Sequence, residues 1–143
     1  MAEFVANAVQ LVEAGQNVLL EDSISCNRGY VIHRNGSGIL TLRGIVNNPC
    51  SKFARYKVEF NGNIAIPTGG TAGEISLALA IDGEPIQTSR ARVTPTVTNA
   101  YFNVTSVANV TVPAGCCLTI SVENTSGVSI NVQNSNLTVD RTA

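Results

Sequence analysis

The stretch Tyr56-Lys57-Val58-Glu59-Phe60-Asn61-Gly62-Asn63-Ile64-Ala65-Ile66 decides the fold. Tyr56, Val58, Phe60, Ile64 and Ile66 share one parity, while Lys57, Glu59, Asn61 and Asn63 share the other. Side chains along a strand point alternately to opposite faces, so this is a strand with one buried and one wet face. Gly62 falls on the buried face and predicts a bulge or a bend. Pro67-Thr68-Gly69-Gly70 closes the strand.

Working outward, Ile75 to Ile81 alternates again. Ile75, Leu77, Leu79 and Ile81 point one way, and Ser76, Ala78 and Ala80 the other. A strand face of small uncharged residues predicts close cover, by another layer or another subunit. Asp82-Gly83 is a hairpin signal, with the next strand starting near Pro85. Asp82 and Glu84 are an acid pair in a turn, and calcium binding is the rarer use of such a pair.

Upstream, Gly29 to Arg34 and Ile39 to Gly44 flank Asn35-Gly36-Ser37-Gly38, residues suited to a hairpin loop. Phe4 to Val12 is compatible with a strand or a short helix, and Asn17 to Glu21 reads as a short strand. Downstream, Tyr101 to Val112 reads as a long strand in which Val107 breaks the parity, which predicts a bulge near Thr105-Ser106. Leu118 to Val122, Val128 to Val132 and Leu137 to Val139 read as three more. The 17 Val and 11 Ile suit strands. The expectation is all-β: a single antiparallel jelly-roll sandwich of about nine or ten strands over residues 1–143.

Composition bounds the function. Of the 143 residues, 44% are hydrophobic and only 13% charged, where soluble domains carry roughly 25% charged residues. Uncharged polar residues replace the charge: 15 Asn, 13 Thr and 11 Ser. A net charge of −1 with nine scattered Lys and Arg argues against nucleic-acid binding. No apolar run approaches the ~20 residues of a membrane span. Met1 to Gly15 contains Glu3 and Glu13 and no Lys or Arg, which argues against a secretory signal peptide. Five N-x-S/T triplets, at Asn35, Asn103, Asn109, Asn124 and Asn136, are attributed to chance in so Asn- and Thr-rich a chain.

Catalytic chemistry is not legible. The one histidine, His33, reads as a solvated residue beside a hairpin tip, and no nucleophile signature accompanies it. No glycine-rich loop opens a helix, and no zinc, haem or flavin spacing occurs. The expectation is no enzyme, no cofactor and no metal. Cys26, Cys50, Cys116 and Cys117 read first as small buried side chains. A Cys26–Cys50 disulfide at the base of the hairpin is the second reading, and a vicinal Cys116–Cys117 bridge or a metal site the third. Tyr30, His33, Arg34 and Asn35 form the best candidate cluster for a ligand.

Several motifs carry a resemblance. GEISLALAIDGEPI (73–86), VPAGCCLTISVEN (112–124) and NLTVDR (136–141) resemble the tumour necrosis factor/complement-head jelly roll, which includes the C-terminal domains of collagen-like exosporium glycoproteins. CNRGYVIHRNGSGILTLRG (26–44), ARYKVEFNGNIAIPTGG (54–70), LALAIDGEPI (77–86), CCLTISVENTS (116–126) and NVQNSNL (131–137) look like a family of small prophage-encoded proteins of gut bacteria, generally taken to be phage structural proteins.

The jelly-roll resemblance implies a homotrimer, with Ser76, Ala78, Ala80, Tyr101 and Phe102 as interface candidates. The chain has no collagen-like stem, so residues 1–15 are the candidate arm for trimer or virion attachment. Together the resemblances imply a virion protein that decorates a capsid or tips a fibre. Its partners would be itself and a major capsid, fibre or tail protein. It would be made in the bacterial cytoplasm and released on lysis. The alternative is a receptor- or glycan-binding module that takes a host surface glycan.

Overall fold

The computed structural model describes residues 2–22, 31–44, 52–114 and 117–142. Its strands are β1 (Ala2–Ala6), β2 (Gln10–Val12), β3 (Glu21–Asp22), β4 (Val31–His33), β5 (Leu40–Arg43), β6 (Phe53–Ala65), β7 (Ile75–Ile81), β8 (Glu84–Pro85), β9 (Ala91–Val93), β10 (Phe102–Pro113), β11 (Cys117–Asn124) and β12 (Ile130–Arg141). One 3-10 turn, Gln87–Ser89, precedes β9. The described strands number twelve rather than nine or ten, because β2, β3, β8 and β9 are pieces of two or three residues.

All pairings are antiparallel and build two sheets. Sheet A has the order β10-β6-β12-β1-β3, with β2 also on β12. Sheet B has the order β4-β5-β11-β7-β8, with β9 also on β7. The core lies between them. Phe4, Tyr56, Phe60, Ile64, Val104, Val112 and Leu137 from sheet A meet Leu40, Leu42, Leu77, Leu79, Ile120 and Val122 from sheet B. Burying each large apolar side chain contributes about 1.5–3 kcal/mol. The Tyr56 hydroxyl crosses the sandwich and donates to the Arg43 carbonyl oxygen at 2.5 Å.

Phe4 to Val12 is strand, not helix, and is broken in the middle: both halves pair with β12. Within residues 1–15, expected as an arm, β1 and β2 are woven into sheet A, with Phe4 and Val12 buried. Of Asn17 to Glu21, only Glu21 enters a strand. Asn17 forms a lone bridge to Glu123, and Val18 N–H donates to the Val122 carbonyl at 2.8 Å.

The two strands expected at 128–132 and 137–139 are one strand, β12, with a bulge. Gln133 pairs with Asn63 and Asn136 with Asn61, so Asn134 and Ser135 together face Gly62. An extra residue flips the parity, which is why Val132 and Leu137 both point inward although five positions apart. Asn134 takes the left-handed conformation, φ 56°, that Asn tolerates best among residues with a Cβ. Gly62 itself stays in register with Val104. No bulge interrupts β10 at Thr105-Ser106: β10 runs in unbroken register along β6, and Val107 is an outward valine opposite Glu59. Asp82-Gly83 makes the hairpin turn, both residues at positive φ (51° and 84°) as a type I′ turn requires.

Candidate binding surface

The outer face of sheet A carries amides in a row, with Leu11, Phe53 and Val107 exposed around them. Asn103 on β10 donates through Nδ2 to Asn63 Oδ1 at 3.2 Å. Asn63 on β6 donates to Asn134 Oδ1 at 3.1 Å, and Asn134 to Asn7 Oδ1 at 2.6 Å. The chain of amides tracks the β12 bulge across the sheet, because the bulge turns Asn134 outward between Asn63 and Asn7. Beside it, Thr105 Oγ1 donates to Asn61 Oδ1 at 3.1 Å and Asn136 Nδ2 to Glu3 Oε2 at 3.3 Å. Each amide offers two donors and two acceptor lone pairs, so the row keeps hydrogen-bonding capacity for a hydroxyl-rich partner. Sequence reading placed Asn61 and Asn63 on a wet face but missed the row, because its members lie far apart in the chain.

At one end of this face, β10 forms the edge of sheet A. Tyr101 and Phe102 stand exposed there, at 38% and 40%. Phe102 has the inward parity of Val104, but it lies at the strand's first residue, where the sandwich no longer covers it. Both aromatics therefore have surface to give to a neighbour. Ser76, Ala78 and Ala80 do not. They lie on the outer face of sheet B, yet a single chain leaves them 1%, 0% and 0% exposed. Of the two covers expected, another layer or another subunit, the single chain already supplies the first. Arg90 Nε donates to Ser76 Oγ at 3.2 Å, and the Ser126 hydroxyl accepts from Ser76 N–H at 2.7 Å. Glu123 pairs in register with Ala78, and Ser121 and Pro85 with Ala80 on either side.

The hairpin cluster separates. His33 is not solvated: its side chain is fully buried. Its Nδ1 meets the Asp22 carboxylate and its Nε2 donates to the Ser37 carbonyl at 2.8 Å. Phe4 packs edge-on against the ring at 4.8 Å between centroids. Asn35 turns the other way and accepts from Asp22 N–H at 2.9 Å, and Arg34 is exposed. Of the described members of this cluster, Arg34 and Asn35 face solvent; Tyr30 lies outside the described residues. Cys26, Cys50 and Cys116 also lie outside them. Cys117 is exposed, not buried.

No family model and no curated protein matches this chain. Solved structures do. Eiger TNF from S. frugiperda superposes with a TM-score of 0.70 at 14% identity, over 99% of this chain and 91% of that one. The globular domain of the zebrafish complement 1qA protein follows at TM-score 0.58 and 14% identity, over 96% and 94%. Murine APRIL at pH 5.0 gives 0.55 and 10% identity, over 95% of each chain. The fold is the tumour necrosis factor-like jelly roll.

At these identities the jelly roll is what is shared, and its site must be read from this chain's own side chains. Among the described residues no three His, Cys, Asp or Glu gather where they would hold a metal ion. Asp82 of the turn acid pair is structural: its Oδ1 accepts from Thr119 N–H at 3.0 Å and Thr119 Oγ1 at 2.9 Å. Those bonds, the backbone one first, hold its carboxyl below the usual aspartate value. Glu123 is displaced the other way, by burial first and by the charge of Glu84 second. Among the described residues no helix is long and apolar enough to cross a membrane.

Proposed function

We propose that this chain is a virion structural protein, a homotrimeric jelly roll that decorates a capsid or tips a fibre and works by assembly rather than catalysis. The observation that carries the assembly reading is the open edge of sheet A. A twelve-residue edge strand with Tyr101 and Phe102 exposed at its start is the kind of surface proteins cover, since unpaired edge groups and bare aromatics invite association. The jelly-roll likeness supports three copies about an axis. The prophage-family resemblance supports a virion as the place of assembly, with a capsid, fibre or tail protein as the further partner. The polar outer face of sheet A would keep such a particle soluble at a net charge of −1.

Light scattering on the purified protein tests the assembly. The expected mass is three chains, and Phe102→Glu lowers it to one. A wild-type mass of one chain overturns the trimer. Mass spectrometry of gradient-purified particles tests the virion: absence of the chain from them overturns that part.

The amide row favours a second reading, a module that binds a receptor or a host surface glycan. Asn side chains in a row match sugar hydroxyls as donors and acceptors. A glycan array without signal above background overturns it.

A further inference from the structure

At the far end of the amide-bearing face, about nine residues along β10 from Phe102 and so roughly 30 Å away, lies a polar cavity of about 360 Å³. Arg55, Asn109, Thr111 and Thr142 line it, over a floor of Tyr56 and Val110. Arg55 pairs across the sheet with Thr111, and Thr142 N–H donates to the Arg55 carbonyl at 2.9 Å. These contacts fix the segments that carry the four polar side chains.

Arg55 is the cation of this cavity. Its guanidinium carbon stands 4.9 Å from the centre of the exposed Phe53 ring. That contact occupies one planar face of the guanidinium and steadies it, while the N–H groups along its rim stay available. The ion pairs among the described residues are His33–Asp22, Lys57–Glu59 and Arg90–Glu74; Arg55 enters none. The nearest acids on the face are Glu59, held by Lys57 at 3.1 Å, and Asp140, which pairs in register with Lys57. Lys57 thus lies beside both carboxylates.

We propose that this cavity binds an acidic sugar of the uronic acid class, its carboxylate on Arg55 and its hydroxyls on Asn109, Thr111 and Thr142. A guanidinium rim fits a carboxylate through two parallel N–H bonds. The amide and hydroxyls offer both donors and acceptors, which several neighbouring sugar hydroxyls satisfy together, while a phosphate brings mostly acceptors from one small centre. The volume lies at the small end of ligand pockets, the size of one sugar ring. The proposal rests on the glycan-binding reading above and narrows it to one end of the face.

The test is titration of the full chain with glucuronate, with glucose and with inorganic phosphate, followed by NMR or calorimetry. Glucuronate is expected to bind, glucose to bind at least about tenfold more weakly, and Arg55→Gln to lose about tenfold or more for glucuronate, the effect of one charged hydrogen-bonded contact. Thr111→Val, which leaves the charge in place, is expected to weaken glucuronate and leave phosphate unchanged. Equal binding of glucuronate by wild type and Arg55→Gln overturns this site while leaving glycan binding elsewhere intact. Phosphate binding as tight as glucuronate overturns the sugar class. No glucuronate binding by a correctly folded wild type overturns the proposal, and signal on a neutral-glycan array would then show that the broader reading survives it.

Discussion

Phe60 folds back across Gly62 on the inner face of sheet A: a Cβ built on Gly62 would stand 2.9 Å from Phe60 Cζ and 3.1 Å from Cε2. The ring is fully buried, so it has little room to retreat. The glycine is also the residue that the β12 bulge spans. The missing side chain therefore serves packing at the point where the sheet changes register.

Gly62→Ala is expected to destabilise the protein by about 1–3 kcal/mol through overpacking. A drop in the urea midpoint with an unchanged slope is the readout. Gly62→Ala combined with Phe60→Leu should cost less than the sum of the two single changes, because the smaller side chain vacates the contested space.

The His33–Asp22 contact ties the β4–β5 hairpin to β3 under the cover of Phe4. Asp22→Ala is expected to cost about 1–3 kcal/mol, the cost of leaving the buried His33 ring nitrogen without its partner. A double-mutant cycle with His33→Leu should give a coupling energy well above zero. Simple additivity would show that the two residues act independently.

Asp82 makes stability depend on pH on the acid side. Its folded value lies below the unfolded one, so its contribution is present above the ordinary aspartate value and is lost as pH falls through the folded value. Asp82→Asn should therefore be less stable than wild type at neutral pH, with the gap closing toward pH 3. Thr119→Val should keep most of the effect, since the backbone N–H is the stronger of the two donors. Denaturation series at several pH values would show both.

Glu123 has the opposite sign. Its folded value is raised, so ionising it opposes folding above its folded value, and the penalty disappears as pH falls below the ordinary glutamate value. Removing the charge of Glu84 should relieve the lesser part of this, because burial is the larger cause. Glu84→Gln is expected to stabilise the protein at pH 7 and to leave it unchanged at pH 3.

Much of the architecture was legible from local patterns. The alternation from Tyr56 to Ile66 marked β6, and Asp82-Gly83 marked the β7–β8 turn, because each depends on neighbours in sequence. The β12 bulge was half legible: the parity change between Val132 and Leu137 was visible, but it reads equally well as two strands. Cover of the outer face of β7 was legible in its small residues, but not where the cover comes from, because Arg90 and Ser126 lie on other elements. His33 looked solvated because nothing near it in sequence announces Asp22 or Phe4 as neighbours.

The sequence by itself determined the class of fold: period-two patterning, turn residues at positive φ, and enough β-branched side chains to fill a sandwich. These are properties of single strands and single turns, set by the backbone and by which side chains leave water. Only the tertiary structure decided which polar residues meet. The row Asn103–Asn63–Asn134–Asn7 draws on residues as much as 127 positions apart, and Arg55 is joined by Thr111 and Thr142 only once β6 lies between β10 and β12. Pairing register brings such residues together, and register is settled by the burial of both sheets at once, a sum over the whole chain that no single stretch contains.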